Sequence, residues 1–193
     1  MKKPNNYDNV QTETKKLPAG GYICEIIQYE ETKSKAGNEM LKVCLDIAEG
    51  EYKGFFAEMW TRAKMAAFPN DAKYPHAGTS YIVTEDAEGN CSRSFKQFCT
   101  AMEDSGNIVW DKTDKLTDLQ GAQVGVIFRR EETEYNGSAY WQTKPMAYRS
   151  VDSIRSGDFK VPEDKPLQSS GYPQFQQPSA PQGFTAVTED IPF

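Results

Sequence analysis

Aromatic side chains interleaved with lysine and arginine are the groups in this chain best suited to recognition chemistry. Lys42, Tyr52, Lys53, Phe56, Trp60, Arg62 and Lys64 fall within one stretch, and Lys33 and Lys35 precede it. A second set, Arg129, Arg130, Tyr135, Tyr140, Trp141 and Lys144, lies further along. Unpaired nucleic acid is held by cations that follow its phosphates and by ring faces on which bases stack, each stack contributing ~1–3 kcal/mol. The two sets therefore predict opposite walls of a groove for single-stranded nucleic acid. Any one of these rings serves equally well as core. Phe56 and Trp60 share a face of one expected strand, and that face is either the groove or the interior.

The groups needed for catalysis are sparse. His76 stands alone beside Pro75, Glu131-Glu132 falls in a solvated loop, and Glu103-Asp104 ends a helix. Neither Gly-x-Ser-x-Gly nor Gly-x-x-x-x-Gly-Lys-Ser/Thr occurs. Cys24, Cys44, Cys91 and Cys99 form no Cys-x-x-Cys pair, which predicts reduced structural thiols rather than zinc ligands. No enzyme, metal or cofactor is expected.

The last five residues, Glu189, Asp190, Ile191, Pro192 and Phe193, offer a different chemistry. Two carboxylates, an aliphatic side chain, a rigid proline and an aromatic beside a terminal carboxylate make a hook. Phe193 would enter an apolar pocket on another protein while basic residues at its rim meet the charges.

Charge limits the first reading. The net charge is −6, against bulk electrostatic coating of nucleic acid. The segment from Lys160 onward carries two lysines against four carboxylates, so the body keeps −4 of the total. A nucleic-acid site must then be local, and the same charge favours a rival reading, an adaptor that binds proteins only. No secretory apolar region and no apolar run near ~18 residues is present, so a cytoplasmic protein outside the membrane is expected.

The elements that must position these residues follow from periodicity and turn chemistry. Residues 1–16 read as a polar arm and 17–160 as one domain. Tyr22–Tyr29 is rich in β-branched and aromatic residues and predicts the first strand. Met40–Ala48 alternates, with Leu41, Val43, Leu45 and Ile47 on one face, and predicts a half-buried second strand. Phe55–Arg62 is expected to be the third. Residues 63–91 read as an insertion, in which Tyr81–Thr84 can add a short strand. Phe95, Phe98, Cys99 and Met102 have the spacing of one helix face, with Ser94 and Gln97 compatible with a capping box and Gly106 at the end. Val124, Val126 and Phe128 mark strand four, Asn136-Gly137 a type I′ hairpin, and Ser138–Tyr148 strand five, with Pro145 at an edge or a bulge. The prolines and glutamines of 161–188 predict a disordered linker to the tip at 189–193.

Three strands, a helix and two strands predict a mainly β fold, a five-stranded OB-fold barrel with one helix between strands three and four and a disordered C-terminal tail. Such a barrel binds along strands two and three, between the first and fourth inter-strand loops.

Two resemblances bear on this. The tip Asp190-Ile191-Pro192-Phe193 resembles the C-terminal peptide of bacterial single-stranded-DNA-binding proteins, which in that family recruits replication, recombination and repair partners. Leu17–Tyr22, Asp46–Gly54 and Arg149–Pro162 resemble an uncharacterised family of phage-encoded proteins found beside recombination genes. The latter implies a phage or mobile-element origin and transfers no site residue. Together with the groove residues, they lead to the expectation of sequence-independent single-stranded DNA binding, with partners recruited by the tip.

Overall fold

The computed structural model describes residues 2, 3, 7, 15–65 and 72–167. Five strands, β1 (Gly20–Lys33), β2 (Glu39–Ile47), β3 (Thr79–Val83), β4 (Gln123–Tyr135) and β5 (Ser138–Arg149), form one antiparallel sheet. Its order is β3-β2-β1-β4-β5. The sheet is open: β3 and β5 are its edges and share no ladder, although they approach one another.

Alternation decides the packing. Cys24 and Ile26 of β1 pair with Ile47 and Leu45 of β2, and Cys24 also pairs with Val124 of β4, which aligns their side chains on one face. Leu41, Val43, Val126 and Phe128 complete it, and all of these residues are buried. Each large apolar side chain so buried contributes about 1.5–3 kcal/mol. Helix α2 (Arg93–Asp104) covers this face with Phe98 and Met102. Its first turn is capped by Ser92, whose hydroxyl accepts from the Phe95 amide at 3.1 Å, two residues before the expected Ser94 cap.

The β4–β5 hairpin turns at Asn136 and Gly137, with φ of 50° and 77°, as an Asn-Gly type I′ turn requires. Pro145 lies on an edge strand beside a register shift, which spares the sheet its missing amide.

Two expectations are corrected. Phe55–Arg62 is not a strand. It lies in helix α1 (Phe55–Lys64), and the third strand is Thr79–Val83. Ala57, Glu58, Met59, Arg62 and Ala63 favour helix, and Glu58 pairs with Arg62 one turn on at 3.3 Å. The start of the helix is fixed from β2: buried Asp46 accepts from the Phe56 amide and from the Ile47 amide, each at 2.9 Å. The single expected helix is thus joined by α1 and by a third, α3 (Val151–Ser156), which packs on the outer face of the sheet. A Cβ on Gly125 of β4 would stand 2.5 Å from Ile154 and 2.7 Å from the Ser150 carbonyl, so only glycine admits α3 there.

Residues 161–167 of the expected linker are among those described. Lys165 bonds to β4 as a parallel bridge, its amide donating to the Arg130 carbonyl and its carbonyl accepting from the Glu132 amide, each at 2.9 Å. The reason is topological: β1 begins opposite Phe128, so β4 beyond that point has an unpaired edge that this segment satisfies. Residues 168–188 of the expected linker and the tip lie outside the described residues. Among the described residues, no helix is long and apolar enough to cross a membrane.

Candidate nucleic-acid interface

A groove of about 850 Å³ opens between α1, the β5 arm and the segment before β1. From α1 come Phe55 and Met59, one turn apart. Tyr140 and Trp141 of β5 face them, and Arg130 of β4 joins the same wall. Lys15 and Lys16 border it, held in place because Thr143 donates its hydroxyl to the Leu17 carbonyl at 2.7 Å. The groove thus carries exposed ring surface and three cations, the two elements needed to hold stacked bases and their phosphates.

The Arg130 guanidinium lies 4.8 Å from the Trp141 ring centre, a cation–π contact. The same guanidinium pairs with Asp164 at 3.3 Å, so the C-terminal segment supplies its carboxylate partner. Lys15 and Lys16 have no carboxylate partner among the described residues.

Of the expected site residues, the groove gathers Arg130, Tyr140 and Trp141, with Phe56 as buried floor. Phe56 is fully enclosed and stacks on Phe128 at 5.9 Å between ring centres, so it is core and closed to a base. Trp60 is half-buried: its Nε1 donates to the Ala72 carbonyl at 3.1 Å, and Lys64 sits 3.2 Å over its ring. Tyr52 packs edge-on between Tyr22 and Phe55, at 6.0 and 6.1 Å between ring centres. Lys53 is exposed in the preceding turn, Lys35 in the β1–β2 turn, and Tyr135 at the hairpin end.

Carboxylates hold several of the remaining cations. Lys33 pairs with Glu39 at 2.5 Å, Lys42 with Glu30 at 3.1 Å and Arg62 with Glu58 at 3.3 Å. The Glu30 hydrogen bond holds the Lys42 ammonium above its ordinary pKa. Arg129 pairs with Glu131 and depresses that carboxyl, while its Nε is buried without a partner. Lys144 donates to the Thr133 hydroxyl at 3.3 Å. Glu189, Asp190, Ile191, Pro192 and Phe193 lie outside the described residues.

Phe55 and Met59 were not legible as site residues, because on a strand they would share the face opposite Phe56 and Trp60, the pair that the strand reading singled out. The oppositely charged pair Glu58 and Arg62, one helical turn apart among helix-favouring residues, is the signal that finds them. Lys15 and Lys16 read as part of a solvated arm, since the tie from Thr143 to Leu17 spans most of the chain.

Residues 5–75 match the family described as protein of unknown function (DUF669). That stretch contains β1, β2 and α1, hence one wall of the groove, and is less than half of the chain. No curated protein matches the sequence.

Proposed function

We propose that this protein binds single-stranded DNA in the groove between α1 and the β5 arm, without sequence preference, and recruits replication or recombination proteins through its acidic, aromatic tip. The observation that carries the reading is the wall made by Trp141, Tyr140 and Arg130 opposite Phe55 and Met59, with Lys15 and Lys16 at its border. Rings on both sides suit stacking, which every base permits.

The topology supports it. Order β3-β2-β1-β4-β5 is that of an OB barrel opened between its third and fifth strands, and α2 falls between β3 and β4 as expected of that fold. We read the sheet as a partly open barrel of this kind. In such a barrel the β4–β5 loop borders the binding face, and β5 leaves that loop towards Tyr140 and Trp141.

Titration of labelled oligo-dT at two salt concentrations tests the reading: binding that weakens with salt is expected, and no binding at low salt removes it. Deleting Phe193 is expected to spare that binding while abolishing recruitment.

The adaptor reading is favoured by the carboxylates that already hold Arg130, Lys42, Arg62 and Lys33. Under it the groove takes an apolar peptide, and oligo-dT leaves Trp141 fluorescence unchanged.

A further inference from the structure

The sequence has six arginines, at 62, 93, 129, 130, 149 and 155, and all are among the described residues. Four are held by carboxylates: Arg62 by Glu58, Arg129 by Glu131, Arg130 by Asp164, and Arg155 by Glu49. The other two, Arg93 and Arg149, have no carboxylate partner among the described residues, and both line one cavity of about 620 Å³. Lys96, three residues beyond Arg93 on α2, lines it as well and is likewise without a carboxylate.

This cavity is separate from the groove. It lies where α2 passes the junction of β5 and α3, and its lining adds Ser150 and Ser153, whose hydroxyls are 2.9 Å apart. Asp104, at the far end of α2, borders the same space and pairs with none of the three cations among the described residues. Arg149 is half-buried and spends one donor on the Tyr148 carbonyl at 2.7 Å, so its fork is fixed in place with donors to spare.

In a protein of net charge −6 that pairs most of its arginines with carboxylates, this hollow is lined by three cations against one carboxylate, Asp104, which pairs with none of them. Guanidinium forks present paired N–H donors that match phosphate oxygens, and hydroxyls add further donors. We propose that this cavity is a phosphate-binding site, and that its ligand is a phosphodiester of the strand lying in the groove.

One strand connects the two sites. Thr143 lines the groove and Arg149 lines the cavity, five ladder positions apart along β5 once the bulge beside Pro145 is allowed for, or roughly 17 Å at about 3.3 Å per residue. A site of about 4–16 nucleotides reaches that far. The source of the phosphate rests on the single-stranded DNA reading; the phosphate chemistry does not.

The test is a salt series of labelled oligo-dT binding to the full chain, comparing the native protein with R93A/R149A and with W141A. R93A/R149A is expected to weaken binding at least about fivefold at low salt and to flatten the log–log salt dependence by about 0.7 for each phosphate released. W141A is expected to weaken binding with the slope kept. Should R93A/R149A fold poorly, K96Q on the exposed side of α2 carries the test through the same change in slope. Native binding with unaltered affinity and slope in both cation variants overturns the inference and leaves the groove reading standing. Should the native chain ignore oligo-dT while inorganic phosphate shifts the amide resonances of residues 92–97, the assignment to a strand phosphodiester is overturned together with the groove reading.

Discussion

Replacing Trp141 by alanine is expected to weaken oligo-dT binding about 5–30-fold. The Arg130 guanidinium covers one ring face, 4.8 Å from the ring centre, so the other face receives a single base. A single stack contributes ~1–3 kcal/mol, and only the exposed 41% of the residue remains to be covered, which confines the loss to about 1–2 kcal/mol. At 1.4 kcal/mol per tenfold that is the stated range. The Arg130 contact, about 0.5–1 kcal/mol at exposed sites, is present before binding too and largely cancels.

Anisotropy of a labelled oligo-dT at low salt measures the loss. Trp110 supplies the control: it is 39% exposed, packs edge-on to Phe95 at 6.0 Å between ring centres, and lies outside the groove. W110A should therefore bind as the native protein does, and W141F should keep most of its affinity. Affinity of W141A within twofold of native, or an equal loss in W110A, refutes the assignment of stacking to the groove.

Asp164→Asn frees Arg130 from its exposed carboxylate partner, and oligo-dT affinity should rise roughly twofold to fivefold, in line with the modest worth of surface ion pairs; unchanged anisotropy curves would remove Asp164 as a competitor for the phosphate position. Asp46→Ala leaves the buried Phe56 and Ile47 amides without their acceptor and should cost about 2–3 kcal/mol in urea unfolding, whereas a loss below about 1 kcal/mol would mean that α1 is anchored otherwise. Glu131 is held below its ordinary pKa of 4.5 by its hydrogen bond to Arg129, so its stabilisation is full above that pH and fades as pH falls through the depressed value. Glu131→Gln should therefore lower stability by about 1–2 kcal/mol at neutral pH and flatten its decline in acid; parallel stability curves for the two proteins would contradict this.

What the sequence made legible follows the range over which each signal acts. Alternation from Leu41 to Ile47, the Asn136-Gly137 turn and the i, i+3, i+4 pattern of Phe95, Phe98 and Cys99 are local, and each lies in the element it predicted. Helix α1 was misread because Phe55, Phe56 and Trp60 have the bulk of strand residues, and the carboxylate that starts the helix, Asp46, belongs to β2. In the site, Arg130, Tyr140 and Trp141 were readable as cation and rings on one hairpin. The free charge was not. Lys42 stands opposite Glu30 only because a bulge between Ile26 and Gln28 resets the register of β1 on β2, and Asp164 reaches Arg130 only because β4 outruns β1.

That redistribution of charge makes a final expectation about salt. Most cations named from sequence are spent within the protein, and the groove keeps Lys15, Lys16 and, once Asp164 is displaced, Arg130. Three phosphates neutralised at about 0.7 each give a log–log salt slope near −2, and one more in the cavity of Arg93 and Arg149 moves it only towards −3. Binding should then be carried mainly by rings and persist at salt concentrations that strip a protein using many lysines. Oligo-dT titrations across a tenfold range of salt measure the slope directly. A slope steeper than about −5 would require phosphate contacts that this charge distribution does not offer. A slope of zero would mean that whatever occupies the groove is not held by its phosphates, which is the behaviour of a groove built for an apolar peptide.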